Sequence, residues 1–116
     1  MEVLGIDIGT GGTRAVLLDG EGRAVSSATA AHPPFASPHT GWAEQNPDDW
    51  WSAVCSAVPE CLARGKTASG EISGIGLTGQ MHGLVLLDRD GGVLRPSIIW
   101  CDQRTEVECR DRKSVV

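Results

Sequence analysis

No run of apolar residues in this chain approaches the roughly 20 that a helix needs to span a bilayer, so no membrane segment is expected. Positive charge is scarce. Ten Lys and Arg stand against fifteen Asp and Glu, a formal net charge of −5. A polyanionic partner usually requires a basic face, so nucleic-acid binding is not expected either. Met1 and Glu2 lead straight into strand-like sequence without a basic leader or a small-residue cleavage site, which makes the cytoplasm the expected location. The four cysteines pair off at spacings of six (Cys55, Cys61) and eight (Cys101, Cys109), with no C-x-x-C, and the three histidines are scattered. That spacing does not suit a structural zinc site, and the cysteines read as reduced structural thiols. Neither G-x-x-x-x-G-K-[ST] nor G-x-G-x-x-G occurs among the glycines of the opening stretch, residues 3–19, so P-loop and Rossmann sites are both poor fits there. Internal repeats and low-complexity segments are also missing.

At 116 residues, with 41 % apolar and 22 % charged residues, the chain has the size and composition of one folded domain. Residues 3–8 and 13–18 are β-branched apolar runs separated by glycines, which predicts a β-hairpin. "DGEG" (19–22) is a second turn, and residues 23–31 form a weaker third strand, completing an antiparallel meander. Residues 32–45 read as a loop with three prolines. A helix is expected over residues 46–65, with Asn46 as N-cap, Pro47 in the first turn, and Asp48 and Asp49 where the helix dipole favours negative charge. Trp50, Val54, Ala57, Val58, Cys61 and Leu62 recur at helical spacing, Gly65 ends the helix, and Pro59 predicts a kink. Residues 72–79 read as a strand, with 83–88 as its hairpin partner closed by "DRDGG". Residues 96–100 read as a last buried strand, and 102–110 as the start of a helix.

Four segments carry polar groups where a plain core would not. In "VLGIDIGTGGTRAVLLD" (3–19), the connection at residues 9–12 is richer in glycine than a tight hairpin needs. Glycine permits close approach of a ligand to the backbone, and successive N–H groups there can form an anion-binding nest. Thr10 and Thr13 add hydroxyls, and Arg14 adds a positive charge suited to phosphate. Asp7 would repel a phosphate unless Mg²⁺ lay between them, held through water. The same residues also make an ordinary glycine-rich turn with a surface acid. "GQMHG" (79–83) places Gln80, Met81 and His82 at a strand end, suited to a hydroxyl-rich ligand or merely solvated. In "IIWCDQR" (98–104), Trp100 offers an apolar face for a sugar and Asp102 an acceptor. The alternative there is a core Trp with an Asp N-cap and a salt bridge. "GWAEQNPDDWW" (41–51) is most simply a capped helix start packing two tryptophans.

Taken in this order, "GIDIGTGGTRAVLLD", "GWAEQNPDDWW", "GIGLTGQMHG" and "VLRPSIIWCDQRT" resemble the sugar kinases of the FGGY family, and "GQMHG" followed by "RPSIIWCDQR" resembles its pentulose branch of xylulokinases. The resemblance implies an α/β fold: part of a ribonuclease-H-like domain of the actin, hexokinase and Hsp70 superfamily. Residues 1–110 would be the first part of the family's N-terminal domain, and 111–116 an unmatched tail suggesting truncation or a frame error. It further implies ATP and Mg²⁺ as cofactors, with Thr10, Gly11, Gly12, Thr13 and Arg14 at the phosphates. Asp7 would be the catalytic carboxylate by the metal. Gln80, Met81, His82, Trp100 and Asp102 would contact the sugar, D-xylulose by this branch. The family's general base lies in a later glycine-rich segment that this chain lacks, so the chain alone is expected to be inactive. A homodimer of the full-length enzyme is compatible with the resemblance. The alternatives are another sugar kinase of the family (ribulose, a deoxy-ketose or gluconate) and a non-catalytic sugar- or nucleotide-binding module.

Overall fold

The structure, a computed structural model, describes residues 1–113 and divides into two compact units. The first comprises Met1–Pro33 and Asp48–Gln80. Its strands β1 (Glu2–Ile8), β2 (Gly12–Leu18) and β3 (Ala24–Ala31) form the expected antiparallel meander. Helix α1 (Pro47–Gly65) and a 3₁₀ turn at Ser69–Glu71 follow. They carry the chain to the fourth strand, which lies parallel to β1 and gives the spatial order β3-β2-β1-β5, where β5 is Ile72–Gly79. Parallel pairing requires a long crossover, and α1 lies within it.

Alternation along the strands decides which face is buried. Leu4 and Ile6 of β1, Ala15 and Leu17 of β2 and Ala28 of β3 meet Ala57 and Cys61 of α1 in one core cluster. Small residues on the helix allow close approach. At Gly65 a Cβ would lie 2.7 Å from Leu17 Cδ2 and 2.9 Å from Ser26 Oγ, so the helix end sits against the sheet without room for a side chain. Cys61 is fully buried there, with its carbonyl accepting from the Ser26 hydroxyl at 2.8 Å. The helix continues as one element through Pro59, which is exposed and leaves the core-facing stripe intact. Trp51 is 68 % exposed, so only Trp50 of the expected tryptophan pair is partly covered.

The second unit takes the rest of the chain and is sparser in regular structure. Its short strands β4 (Glu44–Gln45) and β6 (Ser97–Ile98) pair antiparallel, with isolated bridges Ala36↔Glu44, Leu84↔Ile98 and Leu87↔Val93. Several sequence expectations change here. Residues 83–88 are not the hairpin partner of β5, which pairs along the edge of β1 and stands at the end of the sheet. Their bridges go to Ile98 and, across the turn of "DRDGG", to Val93. The stretch 32–45, read as loop, contains β4, which is too short to show periodicity. The last strand shrinks from residues 96–100 to Ser97–Ile98, and Trp100 is 59 % exposed rather than buried. Helix α2 (Glu106–Lys113) begins four residues later than residue 102, since Asp102 is engaged elsewhere. Residues 114–116, at the end of the stretch 111–116 expected to be an unmatched tail, lie outside the described residues. Among the described residues no helix is long and apolar enough to cross a membrane.

Candidate functional site

In the first unit, β1 and β2 run in register up to the Ile8–Thr13 pair and leave residues 9–12 as the connecting turn. All four carbonyls of that turn are tied into the protein. Gly12 O accepts from the Gly9 amide at 3.0 Å, and Gly11 O from the His32 amide at 3.0 Å. Gly9 O accepts from Gln80 Nε2 at 3.3 Å, and Thr10 O faces His32 Nδ1 at 3.3 Å. With its carbonyl oxygens so occupied, the turn offers an approaching anion little negative charge. Gly12 is required by packing, because a Cβ would come within 2.8 Å of the Ala30 carbonyl. Gly11 is exposed and has open space where a Cβ would stand.

The threonines divide. Thr10 is half-buried, and its hydroxyl donates to Gln80 Oε1 at 3.3 Å. Thr13 is fully buried, its hydroxyl 2.8 Å from His32 Nε2. It therefore faces inward, not toward the surface of the turn as a phosphate donor would. Gln80 joins β5 to the turn from the other side, with its amide donating to Ile8 O at 3.1 Å.

Asp7 and Arg14 stand opposite one another on the sheet face that points away from the core, with Thr78 beside Asp7 on β5. With Gly5, Val16 and Gly76 they line a shallow concavity of about 460 Å³. Glycines on two neighbouring strands keep this face open. Both charged side chains are exposed. Among the described residues no cluster of three or more His, Cys, Asp or Glu could cage a metal. A single carboxylate fits Mg²⁺, which keeps most of its water and takes its remaining ligands from phosphate.

The other candidates lie in the second unit. Met81 is 73 % exposed, and His82 adopts φ 64°, the left-handed conformation that costs a side chain energy outside glycine. Gly83 lies against Ser97 and Ile98, which sets the turn alongside the segment leading to Trp100. Asp102 is occupied within the chain. Its carboxylate, 2 % exposed, accepts from the Ala43 amide at 2.6 Å, the Arg104 amide at 2.9 Å and Arg104 Nη2 at 2.7 Å. Arg104 also reaches Glu44 at 2.8 Å, and its guanidinium stacks 3.7 Å above the Trp42 ring. Arg95 closes the network on Glu44 at 2.6 Å. The Arg104 guanidinium holds the Asp102 carboxyl well below the usual carboxylate range; burial opposes this, and the Ala43 and Arg104 amides reinforce it. The salt bridge read from "IIWCDQR" is thus present, although its tryptophan is not in the core. Trp42, Glu44 and His32 were not among the sequence candidates, and nothing in their local pattern announces a partner distant in sequence.

Comparison with known proteins adds the following. The sequence matches the N-terminal domain of the FGGY family of carbohydrate kinases over residues 2–114. It is 40 % identical over 107 residues to a xylulose kinase of Bacillus subtilis, covering 92 % of this chain and 21 % of that protein. The solved xylulose kinase of Rhodospirillum rubrum superposes with a TM-score of 0.90 at 35 % identity, over the whole of this chain and 24 % of the other. A gluconate kinase from Lactobacillus acidophilus gives a TM-score of 0.86 at 31 % identity, over 97 % of this chain and 22 % of the other. The chain therefore spans about a fifth to a quarter of the proteins it matches.

Proposed function

The chain belongs to the FGGY family of carbohydrate kinases, and we infer that the complete enzyme built on it transfers the γ-phosphoryl group of ATP to the terminal hydroxyl of D-xylulose. The product would be D-xylulose 5-phosphate, formed in the cytoplasm. The observation that carries the nucleotide half of this reading is the turn at residues 9–12, whose four carbonyls are all engaged inward. The sugar half rests on likeness to xylulose kinases across nearly the whole chain.

In this reading Thr10, Gly11 and Gly12 face the phosphates, and Arg14 supplies positive charge from the neighbouring strand. Thr13 serves from beneath through His32. Asp7 would hold Mg²⁺, whose charge would offset the repulsion between its carboxylate and phosphate. Mg·ATP supplies the phosphoryl group and part of the charge neutralisation that such a transfer needs. Gln80, Met81 and His82 present the sugar turn, with Trp100 offering an apolar face. Asp102 contributes by holding Arg104 and the Ala43 amide in place. The carboxylate that accepts the sugar hydroxyl proton belongs to the remainder of the enzyme, not to Asp7.

A second sugar is favoured by one observation, the similarly close superposition on a gluconate kinase. A coupled ADP assay of the complete enzyme with D-xylulose, D-ribulose and D-gluconate decides between them. The highest kcat/KM is expected with D-xylulose, and a higher value with gluconate would replace it. The 116-residue chain alone should release no ADP in response to D-xylulose. Steady xylulose-dependent release from the pure chain would overturn the division of the site between this segment and the rest.

A further inference from the structure

His32 holds the turn of residues 9–12 from the side opposite Gln80. It directly follows β3 and is buried, with 8 % exposure. Its ring spans the turn: Nε2 lies 2.8 Å from the Thr13 hydroxyl and Nδ1 3.3 Å from the Thr10 carbonyl. Its own amide donates to the Gly11 carbonyl at 3.0 Å. A carbonyl can only accept, so Nδ1 carries a proton, and in the neutral ring Nε2 is left to accept from the Thr13 hydroxyl. Two neighbouring carbonyls, of Thr10 and Gly11, are thereby held by one residue.

We propose that His32 is a positioning residue for the phosphate turn: as its Nδ1–H tautomer it keeps the Thr10 carbonyl turned inward and occupies the Thr13 hydroxyl. Released from His32, the Thr10 peptide is free to rotate and bring its oxygen toward the anion, where its dipole would repel phosphate. The ring also gives Thr13 a reason to be buried: its hydroxyl, in a fully enclosed position, needs a partner. The consequence for anion affinity rests on the phosphate reading given above; the ordering of the turn does not.

The test uses the 116-residue chain labelled with ¹⁵N. The ring nitrogens of His32 should show protonation at Nδ1, and a spectrum with the proton only on Nε2 would overturn the proposal. His32→Leu should speed exchange of the Gly9 amide about tenfold, the scale of one lost hydrogen bond. His32→Asn, whose amide reaches the place of Nδ1, should restore most of that protection, whereas His32→Gln, reaching the place of Nε2, should not. Equal Gly9 exchange in wild type and His32→Leu would overturn the proposal. If His32→Leu also loosens the Ile6 amide in the core, the contrast between His32→Asn and His32→Gln decides, and equal behaviour of those two would overturn it. Tripolyphosphate with Mg²⁺ is the binding probe. Affinity about tenfold weaker in His32→Leu and regained in His32→Asn supports both readings. The expected exchange pattern without any tripolyphosphate binding by wild type would leave His32 in its positioning role and remove the phosphate reading.

Discussion

Residues 9–12 are suspended between two strands of a four-stranded ladder, whereas residues 81–96 follow β5 with two isolated bridges to hold them before β6 begins. In the first region every carbonyl has a partner and the flanking side chains alternate into a closed core. In the second, residues 81–92 are all exposed, including Met81, Leu84 and Leu87. Its order comes from a local turn, in which Asp88 accepts from the Asp90 and Gly92 amides and Leu94 donates to Leu86 O at 2.9 Å, and Arg95 ties its end to the Glu44, Arg104 and Asp102 network. The difference teaches that one set of candidate residues is shaped by backbone pairing within a short stretch of chain. The other set, in the second unit, is anchored at its end by ion pairs between residues far apart in sequence. Preformed backbone suits phosphate, which many kinds of substrate share; a side-chain network suits a sugar, whose hydroxyl pattern varies.

The largest effect should come from removing the acid beside the preformed turn. Asp7→Ala in the complete enzyme is expected to lower kcat by about 100-fold or more, in the range for lost charge stabilisation in phosphoryl transfer, with KM for the sugar changed little. Unchanged kcat would remove Asp7 from the metal site and leave the turn as a structural feature only. Next comes a contrast in packing. Leu17→Ala empties a fully buried position and should cost about 2–5 kcal/mol in urea unfolding, whereas Leu84→Ala, at 66 % exposure, should stay within about 0.5 kcal/mol. Comparable losses at the two positions would break the contrast, since Leu84 would then be packed as firmly as Leu17.

The smallest effect sharpens the electrostatic side. Asp102 titrates lower in the folded chain than its ordinary value of 3.8, so over that range the unfolded state binds more protons. Its contribution to stability is therefore complete above the unfolded value and is lost as pH falls below it. Asp102→Asn should flatten the acid limb of the stability curve between about pH 4 and pH 2 relative to wild type. An acid limb of the same steepness in both would show that the Arg104 pair does not govern it.

The parts of the fold legible in the sequence are those whose signal is local. The two apolar runs flanking the glycines read as a hairpin because β1 and β2 bury alternate residues only a few positions apart. The helix was readable from Asn46 to Gly65, since Val54, Ala57, Val58, Cys61 and Leu62 recur at a spacing that any helix must bury on one side, with Ala53 joining that side in the structure. The residues of "GTGGTR" stood out in the sequence as a candidate site, but not which of them face outward. Thr10 and Thr13 look equivalent in sequence, and only strand parity and the ring of His32 send the second into the interior. Residues 83–88 look like the partner of β5 because apolar runs separated by a polar break usually pair. The structure instead aligns β5 with β1 over its length and sends residues 83–88 to Ile98 and Val93.

The sequence by itself determined the hairpin, the helix and the glycine turn, because each rests on near neighbours, and the family resemblance, because that rests on the order of four motifs along the chain. Only the tertiary structure decided that β5 lies beside β1 and that His32 and Gln80 grip the turn from its two sides. It also decided that Asp102 spends its carboxylate on Ala43 and Arg104. Those outcomes depend on which groups, separated by 22 to 71 positions, are left without a partner once the core has closed. A buried amide, hydroxyl or charge must then find whatever lies within reach, and no local pattern records what that will be.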